Sequence, residues 1–127
     1  MEIGITGTAE VTVCEDNTAA KVGSGLLPVY STPSMIALLE MAACNCVAPY
    51  LEEGTSSVGT NLSIDHLSAT PIGMKVTATA TLTKVEGRKL VFDIIVNDEV
   101  SLIGQGTHER FIVFSEKFLA KTNAKGK

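Results

Sequence analysis

The most regular stretch of the chain is Val76-Thr77-Ala78-Thr79-Ala80-Thr81-Leu82-Thr83, in which apolar and hydroxyl-bearing residues alternate strictly. A period of two sends successive side chains to opposite faces of a strand, so this segment predicts a sheet with one buried and one more polar face. Runs of similar character predict four strands at residues 58–67, 75–85, 89–96 and 102–114. Glu86-Gly87-Arg88-Lys89 and Asn97-Asp98-Glu99 read as the hairpin turns joining the last three. An earlier alternation at residues 7–13 predicts one more strand, followed by a turn at Glu15-Asp16-Asn17-Thr18.

Between the first strand and the rest the pattern changes. Met35, Ile36, Leu38, Leu39, Met41, Ala42, Ala43, Cys44, Cys46 and Val47 cover every face of a 3.6-residue helix, which predicts a helix buried on all sides. Thr32 reads as its N-cap and Pro33 as its first residue, because the cap oxygen serves an orphan amide and proline has none to serve. Pro49 and Leu51-Glu52-Glu53-Gly54 end it. One strand, one apolar helix and four hairpin-linked strands predict an α+β fold with a curved antiparallel sheet wrapped around the helix. The sheet's open edge and the remainder of the helix then require a second copy as cover, so a homodimer is expected.

Composition narrows the function classes. The 127 residues, 45% hydrophobic and 19% charged, fit one domain over residues 1–120 with a frayed tail at 121–127. A net charge of −4 with scattered basic residues gives no footprint for nucleic acid. The apolar run at residues 35–47 is too short for a membrane span, which needs about 20 residues. Met1-Glu2-Ile3-Gly4 opens without a basic, then apolar, leader pattern, so the expected location is cytoplasmic. Cys14, Cys44 and Cys46 cannot all pair, and read as free thiols and plain core residues. No metal-type spacing occurs, and no cofactor is expected.

Glu40 is the anomaly, a carboxylate inside the apolar helix, where burial costs several kcal/mol, of order 3–5, unless it is paired or protonated. Thr32 precedes it by eight positions, an oblique neighbour on the helix surface. His66, near the end of a strand, is a natural proton shuttle at neutral pH. Each also has an ordinary reading: a cap, a paired buried acid, a strand histidine.

Together they resemble a known family. The segments Thr32-Pro33-Ser34-Met35-Ile36-Ala37-Leu38-Leu39-Glu40, Ala48-Pro49-Tyr50-Leu51, Val58-Gly59-Thr60, His66-Leu67-Ser68-Ala69-Thr70-Pro71, Val85-Glu86-Gly87-Arg88 and Gly104-Gln105-Gly106-Thr107-His108-Glu109-Arg110 resemble the hotdog thioesterases of the fluoroacetyl-CoA thioesterase type. The likeness spans residues 30–117. It implies a hotdog fold and hydrolysis of a short-chain acyl-CoA at a Thr32, Glu40 and His66 site. By the same resemblance Glu40 is nucleophile or general base, Thr32 orients the acyl carbonyl or Glu40, and His66 moves protons. Amides at the helix start and at Gly59 would face the developing oxyanion. Arg110, and by the same logic Arg88 and Lys89, would meet CoA phosphates, and Leu26 of the loop before the helix would meet substrate. His108 is assigned to the strand end rather than to catalysis. The fluoroacetyl-specific family member carries aromatic residues in the loop that here reads Gly25-Leu26-Leu27-Pro28, so fluorinated specificity is not carried over.

Two rivals stand beside this reading. Hotdog folds also serve as acyl-CoA-binding modules without turnover, and fold alone does not fix function. A hotdog hydratase ranks behind both, since it resembles an aspartate and a histidine separated by several residues, whereas Asp65 and His66 are adjacent and point to opposite faces.

Overall fold

The structure, a computed structural model, describes residues 1–126. The chain runs through β1 (Thr6–Thr12), a 3-10 turn (Glu15–Asn17), a short α1 (Ala19–Val22), the long α2 (Thr32–Val47) and a second 3-10 turn (Ala48–Tyr50). It continues through β2 (Thr55–His66), β3 (Lys75–Glu86), β4 (Lys89–Asn97), β5 (Leu102–Phe114), α3 (Ser115–Asn123) and a closing turn (Ala124–Gly126). The five strands form one antiparallel sheet in the order β1-β3-β4-β5-β2. All five predicted strands and the long helix are present.

The sheet's inner face explains why α2 lies where it does. Val76, Ala78, Ala80 and Leu82 of β3, with Leu90, Phe92, Ile94 and Val96 of β4, are at most 1% exposed. They pack beneath Met35, Leu39, Ala42, Ala43, Cys46 and Val47 of α2. Burying a leucine or phenylalanine this fully contributes about 1.5–3 kcal/mol each. At the other margin the approach is closer still: a Cβ on Gly7 of β1 would land on the backbone nitrogen of Cys46 and the backbone oxygen of Ala42. Asn45 Nδ2 ties the helix to the same strand by donating to the Thr8 carbonyl at 2.8 Å. Replacing Gly7 by alanine is therefore expected to destabilise the fold by about 1–3 kcal/mol, the usual cost of overpacking, read as a lower urea midpoint at unchanged slope.

Several expectations need correction. The N-cap of α2 is Ser31, whose backbone is extended and whose Oγ accepts from the Ser34 amide, while Thr32 is already inside the first turn. Within one chain part of the helix stays uncovered, as expected: Pro33, Ala37, Met41 and Asn45, four residues apart, form an exposed stripe, with Met41 55% exposed. A sheet on one side of a helix covers the core-facing stripe and leaves the opposite one open. Of the cysteines, Cys46 alone is buried, Cys44 is half-buried and Cys14 is exposed, all as free thiols. Two helices went unforeseen, α1 with four residues and α3 with no buried residue, because neither has a core-facing stripe to betray it. Residues 121–126 lie in the end of α3 and the closing turn, and Lys127 lies outside the described residues.

Candidate active site

The one-residue shift of the N-cap has a chemical result. Because Ser31 does the capping, the Thr32 hydroxyl is free to point away from the helix, and it meets His66 Nδ1 at 2.7 Å. His66 is the last residue of β2, and the next amide, Leu67, is fixed to the Ile103 carbonyl at 2.7 Å. His66 Nε2 is buried and has no hydrogen-bond partner among the described residues. The pair opens into a cavity of about 300 Å³ walled by Ser24, Tyr30, Leu67 and Ser68. Leu26, from the same loop as Ser24, is 93% exposed and is not part of that wall.

A second group forms further along the helix. Glu40 Oε2 accepts from Arg110 Nη1 at 3.0 Å, and its side chain is 36% exposed. The carboxylate lies against Gly59 so closely that a Cβ there would collide with Oε2. Thus Glu40 is neither lone nor deeply buried, and the anomaly read in the sequence resolves into a pair. Arg110 is 5% exposed, and its Nε and Nη2 donate to the hydroxyl and carbonyl of Ser57 at 2.8 and 2.9 Å. A guanidinium so occupied has little left for the CoA phosphate expected of it, so Arg110 is here a partner of Glu40. Arg88 lies over the rings of Phe111 and Phe114, 5.1 and 5.8 Å from their centroids, and Lys89 faces Glu109 at 3.5 Å.

His108 is the member of this group that the sequence reading set aside. It is completely buried, with Nδ1 2.8 Å from the Asn61 carbonyl and Nε2 3.2 Å from Arg110 Nη1. The available signal was its spacing: two residues from Arg110 on one strand puts both on one face.

Within one chain the two groups stay apart. The eight positions from Thr32 to Glu40 span about 12 Å of helix, and the seven from Gly59 to His66 about 23 Å of strand. Thr32 is brought to His66, and Glu40 to Gly59 and Arg110, but the threonine–histidine pair is not brought to the carboxylate.

Burial pushes both histidines below the ordinary imidazole value of 6.5; for His66 a backbone contact at Ser68 opposes it, and for His108 the Asn61 bond opposes it while Arg110 adds to it. Below 6.5 the unfolded chain takes up protons that the folded chain refuses, so the unfolded state binds more and stability rises with pH there. The expected result is a melting temperature that is flat above about pH 7.5 and falls as pH drops through about 6.5 toward the two lowered values. Thermal denaturation across that range checks it.

A curled antiparallel sheet holding one long helix in its palm is the hotdog architecture, and solved thioesterases share it. The structure of the fluoroacetyl-CoA thioesterase FlK superposes with a TM-score of 0.93 at 38% identity, covering 98% of this chain and 97% of that one. An FlK mutant in complex with acetyl-CoA gives 0.95 at 37% identity over the whole of both chains. A thioesterase superfamily member from Thermus thermophilus gives 0.91 at 28% identity, covering 98% of this chain and 93% of its own. In sequence, the fluoroacetyl-CoA thioesterase of Streptantibioticus cattleyicolor is 46% identical over 97 residues, which are 76% of this chain and 70% of that protein. The model of the family described as fluoroacetyl-CoA-specific thioesterase matches residues 13–116, and the chain belongs to that family.

Proposed function

We propose that this protein hydrolyses a short-chain acyl-CoA to the free acid and CoA, at a site made of Thr32 and His66 from one chain and Glu40 from a second. The observation that carries the reading is the Thr32–His66 pair at the wall of a cavity, with the Nε2 of His66 buried and without a hydrogen-bond partner among the described residues. One two-fold axis supplies the carboxylate. Antiparallel pairing of β2 with its own copy, along the edge that β5 leaves open, brings the His66 end of one strand toward the Gly59 end of the other. Antiparallel packing of the two α2 helices likewise brings Thr32 of one chain toward Glu40 of the second. Both surfaces are open: β2 is an edge strand, and α2 is exposed at Thr32, Pro33, Ala37 and Met41.

In the assembled site the Glu40 carboxylate takes a proton from the water that attacks the thioester carbonyl, or attacks that carbonyl itself to form a mixed anhydride that water then hydrolyses to the free acid, restoring the carboxylate. Negative charge then collects on the carbonyl oxygen, where amides at the start of α2 and at Gly59 would receive it. His66, oriented by Thr32, hands a proton to the departing CoA sulfur as the carbon–sulfur bond breaks. The acetyl-CoA complex of the related FlK mutant supports CoA as the carrier, and the modest cavity supports a short acyl group. Gly25-Leu26-Leu27-Pro28 before the helix supports an acyl group other than fluoroacetyl. The protein's free thiols suit the reducing cytoplasm, and among the described residues no helix is long and apolar enough to cross a membrane.

The test is thiol release from acyl-CoAs of two to eight carbons. Turnover of the short members supports the reading. Saturable binding without thiol release would replace it with the acyl-CoA-binding module.

A further inference from the structure

His108 shares one face of β5 with Arg110, and its two hydrogen bonds fix its chemical form. The Asn61 carbonyl at Nδ1 can only accept, so Nδ1 carries a proton and donates to it. The Arg110 guanidinium at Nε2 can only donate, so Nε2 keeps its lone pair. Phe92 stacks on the ring, with centroids 6.2 Å apart and planes 27° from parallel. The register shift in β2 between Gly59 and Asn61 falls at the carbonyl the ring uses.

The geometry points to His108 as a positioning residue: its neutral Nδ1–H form holds the Arg110 guanidinium, and through it the Glu40 carboxylate, in the orientation the site uses. This rests on the reading of Glu40 as a catalytic residue. The charged groups around the ring are Arg110 and Glu109 from β5 and Glu40 from α2, whose Oε2 is 3.9 Å from Nε2. From β2 and β4 it meets the Asn61 carbonyl and Phe92, neither of which titrates. A second proton on Nε2 replaces an acceptor with a donor, sets two cations 3.2 Å apart and offers Glu40 a competing partner. The burial that lowers the affinity of this ring for that proton protects the arrangement at neutral pH.

Three variants separate positioning from packing. Glutamine reaches as far as Nε2 and presents an acceptor that cannot take a proton in this range. Leucine fills the space with no acceptor, and asparagine reaches only the Nδ1 position, keeping the donor to Asn61. With acetyl-CoA as substrate at pH 7.5, His108→Gln is expected to keep kcat within about threefold, while His108→Leu and His108→Asn lose about 30-fold at unchanged KM. The Nη1–H signals of Arg110 in low-temperature ¹⁵N NMR are expected to be resolved and slow to rotate and exchange in the wild type and His108→Gln, and to broaden in the other two. His108→Asn stands in if His108→Leu does not fold. Wild-type kcat in either acceptor-free variant overturns the proposal, as does a folded His108→Gln as inactive as they are. If the wild type hydrolyses no acyl-CoA the thioesterase reading fails. The NMR pattern then decides separately whether His108 positions Arg110.

Discussion

Replacing Glu40 by glutamine is expected to lower kcat for acyl-CoA hydrolysis by about a thousandfold, within the range that a positioned base or acid supplies. The amide keeps the size of the carboxylate, and its oxygen can still accept from Arg110 Nη1, so the contacts with Gly59 and Arg110 survive. What disappears is the negative charge and the ability to take a proton or form an acyl bond. A fall in kcat with KM within about threefold, in a protein that melts near the wild-type temperature, is the expected signature of an interaction made only in the transition state. Near-wild-type turnover would remove Glu40 from the chemistry and leave it as a structural partner of Arg110.

The second large effect is a gain. Thr32→Ala and Glu40→Gln homodimers are each expected to be almost inactive, yet mixing them after unfolding and refolding together should restore about a quarter of wild-type activity. Half of the dimers formed at random pair one chain of each kind. In such a dimer one site carries both lesions and the other carries neither, so half of the sites in half of the dimers are intact. If Thr32, His66 and Glu40 acted within one chain, no intact site could form and the mixture would stay inactive. Steady-state thiol release on the mixture, with each parent as control, reads the difference directly.

The parts of this protein that were legible in the sequence are those whose cause is local. The alternation at residues 76–83 specifies a strand with Val76, Ala78, Ala80 and Leu82 inward, and those four side chains are buried. The apolar run at residues 35–47 gave the helix for the same reason. Serine and threonine both cap helices, and the choice of Ser31 over Thr32 became visible only with His66, 34 positions away, holding the threonine hydroxyl. Glu40 looked unpaired because Arg110 lies 70 positions along the chain. His108 looked ordinary because its role depends on a carbonyl in β2 and a guanidinium in its own strand, and neither is encoded next to it.

The contact at Gly7 has a bearing on how variation in the core is felt at Thr32. Where side chains separate a helix from a sheet, a change of volume can be absorbed by sliding the helix. Here main chain touches main chain, with the Gly7 Cα against Cys46 and Ala42 and no rotamer free to yield. The strand acts as a fixed datum from which the helix is measured. Substitutions at Leu39 or Leu82 should then spend their effect on stability, while the reach of the Thr32 hydroxyl to His66 is carried through them nearly unchanged.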